Sequence, residues 1–338
     1  MEKHYNYSLK KLNTFNIDVK AKIFTEVNST EDIEALISDD TFLVNERLVL
    51  GGGSNILFTK DFDGIVVKIA NKGITVVDED QDFVYVKAEA GEVWDDLVDY
   101  CVMNNWGGLE NLSLIPGQVG ASPIQNIGAY GVEIKDVFHS LLAVNIFSGE
   151  KREFFPDDCR FGYRDSVFKN SEKGNYIIFS VVFKLKKHKH NINVDYGNIK
   201  DECAKLNITN PSIQDIRKII CSIRNAKLPE VGEIGSAGSF FKNPVVDYDK
   251  FVELKSKFPE LVSFPDNDKV KLAAGWLIDK AGWKGFREGD YGVFPTQALV
   301  LVNYGNAKGM DVFSLGMKII EKVRDMFGIE LETEVNVL

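Results

Sequence analysis

The stretch GSAGSFFKNP, Gly235 to Pro244, sets one hydroxyl, Ser239, between small residues and an aromatic pair. Four roles suit such a serine: nucleophile, helix cap, phosphate ligand, or donor of its own proton. A hydrolase nucleophile fits least, because the segment lacks a GxSxG turn and no histidine neighbours it. CRFGYRDSVFK gathers Tyr163, Arg164 and Asp165. The planar fork of Arg164 suits a carboxylate or a phosphate, and a structural Arg164–Asp165 pair is the alternative. In LETEVNVL, Glu332 and Glu334 fall on one face of a strand, where an outward charged face is the ordinary reading. Lys227 in RNAKLP follows a helix, and a solvated lysine is the ordinary reading there.

Two segments look built for a ligand's edges and phosphates. LGGGSN, residues 50–55, has three glycines in a row after a strand. Backbone without Cβ atoms can approach a ligand closely, and successive N–H groups can form an anion site. The segment is neither a GxGxxG turn opening a helix nor a Walker A loop, and a glycine-rich hairpin is the alternative. IPGQVGASPIQNIGAYG, residues 115–131, carries Gly117, Gly120, Gly128 and Gly131 with Asn126 among them. It could lie flat on a planar ring and offer main-chain groups to its edges; an ordinary omega-type loop is the alternative.

The elements that would position these residues can be read from periodicity. NSTEDIEALISDD predicts a helix, with Ser29 and Asp32 at capping-box spacing and Ile33, Leu36 and Ile37 on one face. RLVLGGGSNILF predicts strand, tight turn, strand; residues 64–69 and 83–90 read as strands. EVWDDLVDYCVMNNW puts Val93, Trp94, Leu97, Val98 and Cys101 on one helical face. Strands at 141–147 and 176–185 enclose a long irregular middle, a length that usually signals function. After a polar stretch near 186–210, a helix begins at Asn210-Pro211-Ser212 with Ile213, Ile216, Ile220 and Ile223 inward. DKVKLAAGWLIDKAG predicts a helix, QALVLVN (297–303) a buried strand, and IELETEVNVL a strand. MDVFSLGMKIIEKVRDMFG predicts an amphipathic helix with Val312, Leu315, Ile319, Val323 and Met326 inward and Gly328 as its stop. The pattern is α+β, a sheet-rich part of about 200 residues followed by a helix-and-strand domain of about 110.

Composition narrows the partners. A chain of 338 residues exceeds one ordinary core. With 44% apolar and 27% charged residues it reads as a soluble globular protein. A net charge of −10 argues against nucleic acid, yet leaves room for a small anion held by a few cations. No apolar run approaches the ~20 residues of a membrane helix, and the first residues lack a signal peptide's apolar core. The four cysteines are dispersed, which suits a reducing cytoplasm and no metal framework. His188 and His190 in KHKH could ligate a metal, but a solvated strand end is the better reading. A mechanism built on histidine is disfavoured.

Taken together and in order, LGGGSN, NLSLIPGQVGASPIQNIGAYGVE, CRFGYRDSVFK, KLP, GSAGSFFKNP, KLAAGWLID, QALVLVN and LETEVNVL resemble the bacterial UDP-N-acetylenolpyruvoylglucosamine reductases. The likeness runs from LNTFNI (12–17) to the last residue, and VDYGNI resembles the longer, type I subgroup, whose substrate is covered by a loop tyrosine. The resemblance implies FAD, held non-covalently in a fold of the vanillyl-alcohol-oxidase type. Its two FAD-binding subdomains would span 1–70 and 71–212. A separate α+β substrate-binding domain would span 213–330, and 331–338 would return to the active site. Gly51, Gly52, Gly53, Ser54 and Asn55 would cradle the pyrophosphate. Gly120, Ala121, Ser122, Pro123, Asn126 and Gly128 would line the isoalloxazine.

The implied reaction is NADPH-dependent reduction of UDP-N-acetylglucosamine-enolpyruvate to UDP-N-acetylmuramate, with NADPH and then the sugar nucleotide visiting the flavin in turn. Hydride addition to the vinyl ether sends charge toward the substrate carboxylate, so a donor or cation must meet it there. Arg164 would do so, and Glu334 would serve either as a neutral acid or by orienting Arg164 or a water. The family's proton donor falls on Ser239; a carbanion is basic enough for a rigidly held weak acid to suffice. Tyr163 would stand beside Arg164, while Tyr196, Lys227, Asn243 and Gln297 would hold the uridine diphosphate. A cytoplasmic monomer with no metal, nucleic acid or membrane partner is expected. The competing readings are an oxidase or dehydrogenase of the same fold acting on an alcohol or sugar, and a non-catalytic nucleotide- or flavin-binding module. The joint presence of Arg164, Ser239 and Glu334 disfavours the module.

Overall fold

A computed structural model describes residues 1–229 and 232–338. Its chain forms two compact units, one of Met1–Tyr7, Ala21–Gly52 and Asp63–Arg224, the other of Ser8–Lys20, Gly53–Phe62 and Asn225–Leu338.

In the first unit a four-stranded sheet runs in the order His4–Ser8, Lys20–Val27, Phe62–Ile69, Glu46–Leu50. The last two strands pair in parallel, with Leu50 opposite Lys68. The helix Thr30–Ile37 starts at Ser29, whose hydroxyl accepts from the Asp32 N–H while Asp32 accepts from the Ser29 N–H. Reciprocal satisfaction of two orphan donors explains why a helix begins there. Ile33, Leu36 and Phe42 pack with Ile23, Ile65 and Val67 and with Val144 and Ile177 from the next layer. That layer is a five-stranded antiparallel sheet in the order Lys151–Phe154, Phe138–Asn145, Tyr176–Lys186, Phe83–Glu89, Ile74–Glu79. Its other face receives the helix Trp94–Met103, with Trp94 buried and its indole N–H donating to the Leu112 carbonyl at 2.9 Å. Val93 lies just before that helix and is exposed, so the inward face starts one residue later than periodicity suggests.

The polar stretch near 186–210 contains a helix the sequence hid, Ile199–Lys205. Its Ile199 and Cys203 pack against Ile216, Ile219, Ile220 and Ile223 of the helix Ile213–Lys227. This packing keeps most of that helix with the first unit, whose last segment ends at Arg224. Residues 8–20 and 53–62 likewise group with the second unit rather than with the N-terminal segment.

The second unit has two three-stranded sheets, ordered Val245–Val246, Lys269–Leu272, Ser263–Asp266 and Arg287–Glu288, Tyr291–Val293, Leu301–Asn303. The expected helix from 268 is half strand. Lys269–Leu272 pairs with Ser263–Asp266 around Asn267, which takes φ 53°. Asn tolerates that left-handed turn, and the alternation of KVKL suits a strand. The helix proper is Ala274–Lys280. Of QALVLVN only Leu301–Asn303 is strand, although Val300 is buried too. The long helix Gly309–Phe327 buries Val312, Leu315, Ile319 and Val323 and ends at Gly328, whose φ is 65°. Met326 is exposed and Phe327 takes the inward place. The tail is strand only at Asn336–Val337, which pairs in parallel with Ile56–Leu57. Among the described residues no helix is long and apolar enough to cross a membrane.

Asn303 anchors this unit. It exchanges main-chain bonds with Gly235, its Nδ2 donates to the Phe15 carbonyl at 2.8 Å, and its Oδ1 accepts from the N–H groups of Gly305 and Ala307. It is 2% exposed, so water cannot replace those partners. Asn303→Leu should destabilise the second unit by about 2–4 kcal/mol in urea unfolding, because buried main-chain groups lose their partners. The exposed pair Lys280–Glu260 makes the contrast: Lys280→Ala should cost under ~1 kcal/mol. Equal losses at the two positions would remove Asn303 from its anchoring role.

Candidate active site

The second unit sets Ser239 on a short extended segment with neighbours on both sides. Ser239 bridges Val300, and the Phe240 N–H donates to the Leu299 carbonyl at 2.8 Å. On the other side the Glu334 N–H donates to the Phe240 carbonyl at 2.8 Å, and the Lys242 N–H to the Glu332 carbonyl at 2.9 Å. Phe240 and Phe241 are both buried, while Ser239 is exposed. Ser239 is thus an exposed hydroxyl on an anchored backbone, and it has no hydrogen-bond partner among the described residues. Gly238 precedes it with φ 69° and open space where a Cβ would be. Its backbone angle, not crowding, calls for glycine there. Gly235 is glycine for the opposite reason: a Cβ would lie 2.2 Å from the Phe15 carbonyl oxygen.

Glu334 thus sits one hydrogen bond from the residue after Ser239. The Asn55 side chain donates to the Glu334 carbonyl at 3.3 Å, and Asn336 returns bonds to the Asn55 carbonyl. Gly53, Ser54 and Asn55 therefore share this unit with Ser239 and Glu334, a grouping that the sequence separation concealed. Glu332 is exposed and pairs with Lys242 at 2.9 Å, so the two tail glutamates have different surroundings.

Asn243 and Gln297 converge on the start of the helix Ala274–Lys280. Asn243 Oδ1 accepts from the Ala274 N–H at 2.9 Å. Gln297 Oε1 accepts from the Leu299 N–H and lies 3.2 Å from where a Cβ on Gly275 would be. Each amide oxygen thus has a structural partner, while neither NH₂ group has one among the described residues. Lys227 ends the helix Ile213–Lys227, and its carbonyl accepts from the Thr296 hydroxyl at 2.9 Å.

In the first unit Arg164 occupies the tip of a two-residue turn. Gly162 and Asp165 exchange main-chain bonds, and Arg164 takes φ 52°. A left-handed arginine costs conformational energy, about 1–3 kcal/mol for sparsely populated angles, and such costs gather at functional sites. The guanidinium donates to the Gly128 carbonyl and lies 3.9 Å from a Glu133 carboxylate oxygen. Its carbon stands 5.3 Å from the centre of the Tyr163 ring. Gly128 leaves the room: a Cβ there would be 3.0 Å from the guanidinium and 2.9 Å from the Val132 carbonyl. Asp165 is instead bonded to Asn170 at 2.9 Å, so the expected alternative pair is not what holds Arg164.

The same unit shapes the proposed flavin segments. Gly120 donates to the Ala90 carbonyl, and a Cβ on it would sit 2.5 Å from the Ala90 methyl. Ala121 and Ser122 close a 3₁₀ turn, with the Ser122 hydroxyl on the Val119 carbonyl, and Pro123 continues it. Asn126 is fully buried with φ 46°. Its NH₂ donates to Glu133 and to the Gly162 carbonyl, and its oxygen accepts from the Lys135 N–H. Only main-chain groups of that residue are left for a ligand, so Asn126 serves as a brace under the loop that carries Arg164. Tyr196 lies just before the helix Ile199–Lys205, beside Gly131 and Tyr130.

A pyrophosphate fits what the glycine run offers. A Cβ on Gly52 would be 2.9 Å from the Gly117 Cα, so glycine lets the two loops touch. The Gly52 and Gly53 N–H groups donate to no acceptor among the described residues. Unpaired N–H groups on adjacent glycines are the donor set an anion needs. Sequence reading missed Lys68 altogether: its ammonium donates to the Gly51 carbonyl at 2.7 Å and to Gln118 Oε1 at 2.8 Å.

Residues 21–153 match the family described as FAD binding domain, and residues 229–338 match that described as UDP-N-acetylenolpyruvoylglucosamine reductase, C-terminal domain. The UDP-N-acetylenolpyruvoylglucosamine reductase of Flavobacterium johnsoniae is 48% identical over 340 residues, covering 100% of both chains. That of Pseudomonas aeruginosa is 47% identical over 341 residues, covering 99% of both. The fold is similar to the crystal structure of the reductase from Thermus caldophilus, with TM-score 0.67, 23% identity and coverage of 99% and 98%. The expected α+β fold with an FAD-binding domain is therefore the one present. By full-length identity, the chain belongs to the UDP-N-acetylenolpyruvoylglucosamine reductase family.

Proposed function

We propose that the chain reduces UDP-N-acetylglucosamine-enolpyruvate to UDP-N-acetylmuramate with electrons from NADPH, a step toward peptidoglycan precursors. FAD, held by residues 51–55 and 120–128, would supply the hydride chemistry between NADPH and the enolpyruvyl group. The observation that supports this reading best is the pairing of the Ser239 segment with the tail that carries Glu334.

Hydride addition leaves negative charge that spreads onto the substrate carboxylate. Arg164 meets that carboxylate through its guanidinium, which the turn at Gly162–Asp165 and the Gly128 carbonyl hold in a fixed orientation. A cation fixed before the charge develops costs no reorganisation during reaction. Ser239 then gives its hydroxyl proton to the adjacent carbon. Its exposure and unengaged hydroxyl leave the proton available, and the flanking strands fix the face from which it is delivered. Glu334, placed by the Phe240 carbonyl, assists as a neutral acid or by orienting a water.

Gly51 to Asn55 hold the FAD pyrophosphate, and the segment from Gly120 to Gly128 lines its ring. Lys227, Asn243 and Gln297 bind the diphosphate, the two amides through NH₂ groups whose oxygens are already fixed. Tyr163 flanks Arg164, and Tyr196 covers the substrate. The enzyme works in the cytoplasm as a monomer.

The purified protein should be yellow, and should oxidise NADPH steadily only when the enolpyruvyl sugar nucleotide is present. Steady NADPH oxidation with oxygen alone would favour an oxidase, and a protein unable to take up FAD would sink the reading. Ser239→Ala should leave flavin reduction by NADPH near normal while turnover falls roughly 10²–10⁴-fold in steady-state assays. Ser239→Cys should recover part of the loss. Unchanged turnover in Ser239→Ala would make the serine structural only.

A further inference from the structure

The ammonium of Lys68 bonds both glycine-bearing loops of the first unit. It reaches from the strand Phe62–Ile69, where it stands opposite Leu50, to the Gly51 carbonyl and to Gln118 Oε1. Gln118 is itself held, since its Nε2 donates to the Gly91 carbonyl at 2.8 Å. On the far side of the contact Gly52 touches the Gly117 Cα. One amine thus sets the spacing between two loops that lie about 65 positions apart in sequence and have no ladder between them.

The bond does more than hold the loops. Gly51 C=O and Gly52 N–H belong to one planar trans peptide, so they point in opposite directions. A carbonyl drawn toward Lys68 turns the Gly52 N–H away from it. That N–H is one of the two glycine donors without an acceptor among the described residues. We propose that Lys68 is a positioning residue for FAD, fixing the Gly51–Gly52 peptide so that its N–H faces the pyrophosphate, and fastening that loop to Gln118 of the flavin-lining segment. This rests on the reading that residues 51–55 hold the pyrophosphate.

The electrostatic setting agrees with the geometry. Burial is the main cause that pulls the Lys68 amine down to about 8; Lys72 adds to it and Glu26 opposes it. Leu50, opposite it on the strand Glu46–Leu50, and its two acceptors, the Gly51 carbonyl and the Gln118 amide, are all neutral. The sign of each pH effect follows. The folded amine titrates below its unfolded value of 10.5, so raising pH through about 8 relieves the cost of a buried cation and favours the folded apoprotein. FAD binding has the opposite dependence, because the pyrophosphate and the two acceptors favour the protonated amine.

The test is titration of apoprotein with FAD, followed by flavin fluorescence quenching, from pH 6.5 to 9.5. Lys68→Met should weaken FAD binding roughly ten- to hundred-fold at pH 7, as loss of a charge-assisted bond implies. In the wild type, affinity should fall above pH 8; in Lys68→Met that part of the slope should vanish, and Lys68→Arg should restore affinity without restoring the inflection. Urea unfolding of the apoprotein checks folding separately. Relative to Lys68→Met, the wild type should gain stability above pH 8 while losing FAD affinity, and a merely structural lysine could move the first but not the second. Gly52→Ala separates the premises. If it weakens FAD and Lys68→Met does not, the role of Lys68 is overturned and the pyrophosphate reading stands. If neither variant alters FAD affinity, both are overturned.

Discussion

Main-chain pairing of three remote stretches organises the second unit. Residues 239–242 lie between 299–300 on one side and 332–334 on the other, joined by N–H to C=O bonds and short bridges. Side-chain contacts could tolerate slippage, but a ladder cannot: a shift of one residue would turn Ser239 inward and Phe240 outward. Phe240 opposes that slip, because it packs against Gly316 of the long helix, where a Cβ would come within 2.9 Å of the ring. The position of the Ser239 hydroxyl is thus held by a phenylalanine and a glycine.

Arg164 is held by a different logic. No ladder fixes it; a strained turn and a few polar contacts do. Asn126, buried beneath, bonds the Gly162 carbonyl at the base of the turn and the Glu133 carboxylate that faces the guanidinium. Glu133 also pairs with Lys135 at 2.7 Å, which spreads its charge away from Arg164. The arginine is therefore oriented by main-chain and carboxylate partners on neighbouring loops.

Local signals carried the parts of the fold that were legible. The capping box at Ser29, the isoleucine stripe of Ile213–Lys227 and the stop at Gly328 depend on neighbours within a few residues, and the sequence displays them. KVKL misled because its strand exists only through pairing with Ser263–Asp266, a partner periodicity cannot see. Met326 and Phe327 compete for one inward position, and helix phase alone does not choose between them. In the candidate site the glycine segments, Arg164 and Ser239 stood out by type and order. The bracing part did not: Lys68, Gln118 and the oxygens of Asn243 and Gln297 act on groups 2 to 50 positions away, and nothing in their own neighbourhoods marks them.

The parallel pairing of Asn336–Val337 with Ile56–Leu57 has a temporal consequence. Thr59 bonds the Leu338 carbonyl across 279 positions, so the two partners are made far apart in time. The strand after the glycine loop waits through the synthesis of that whole stretch for its parallel partner. Loop closure over such a length is slow, and edges left open meanwhile are exposed to wrong partners. The segment bearing Glu334 also pairs with the Ser239 segment, so both pairings wait for the same late-made stretch.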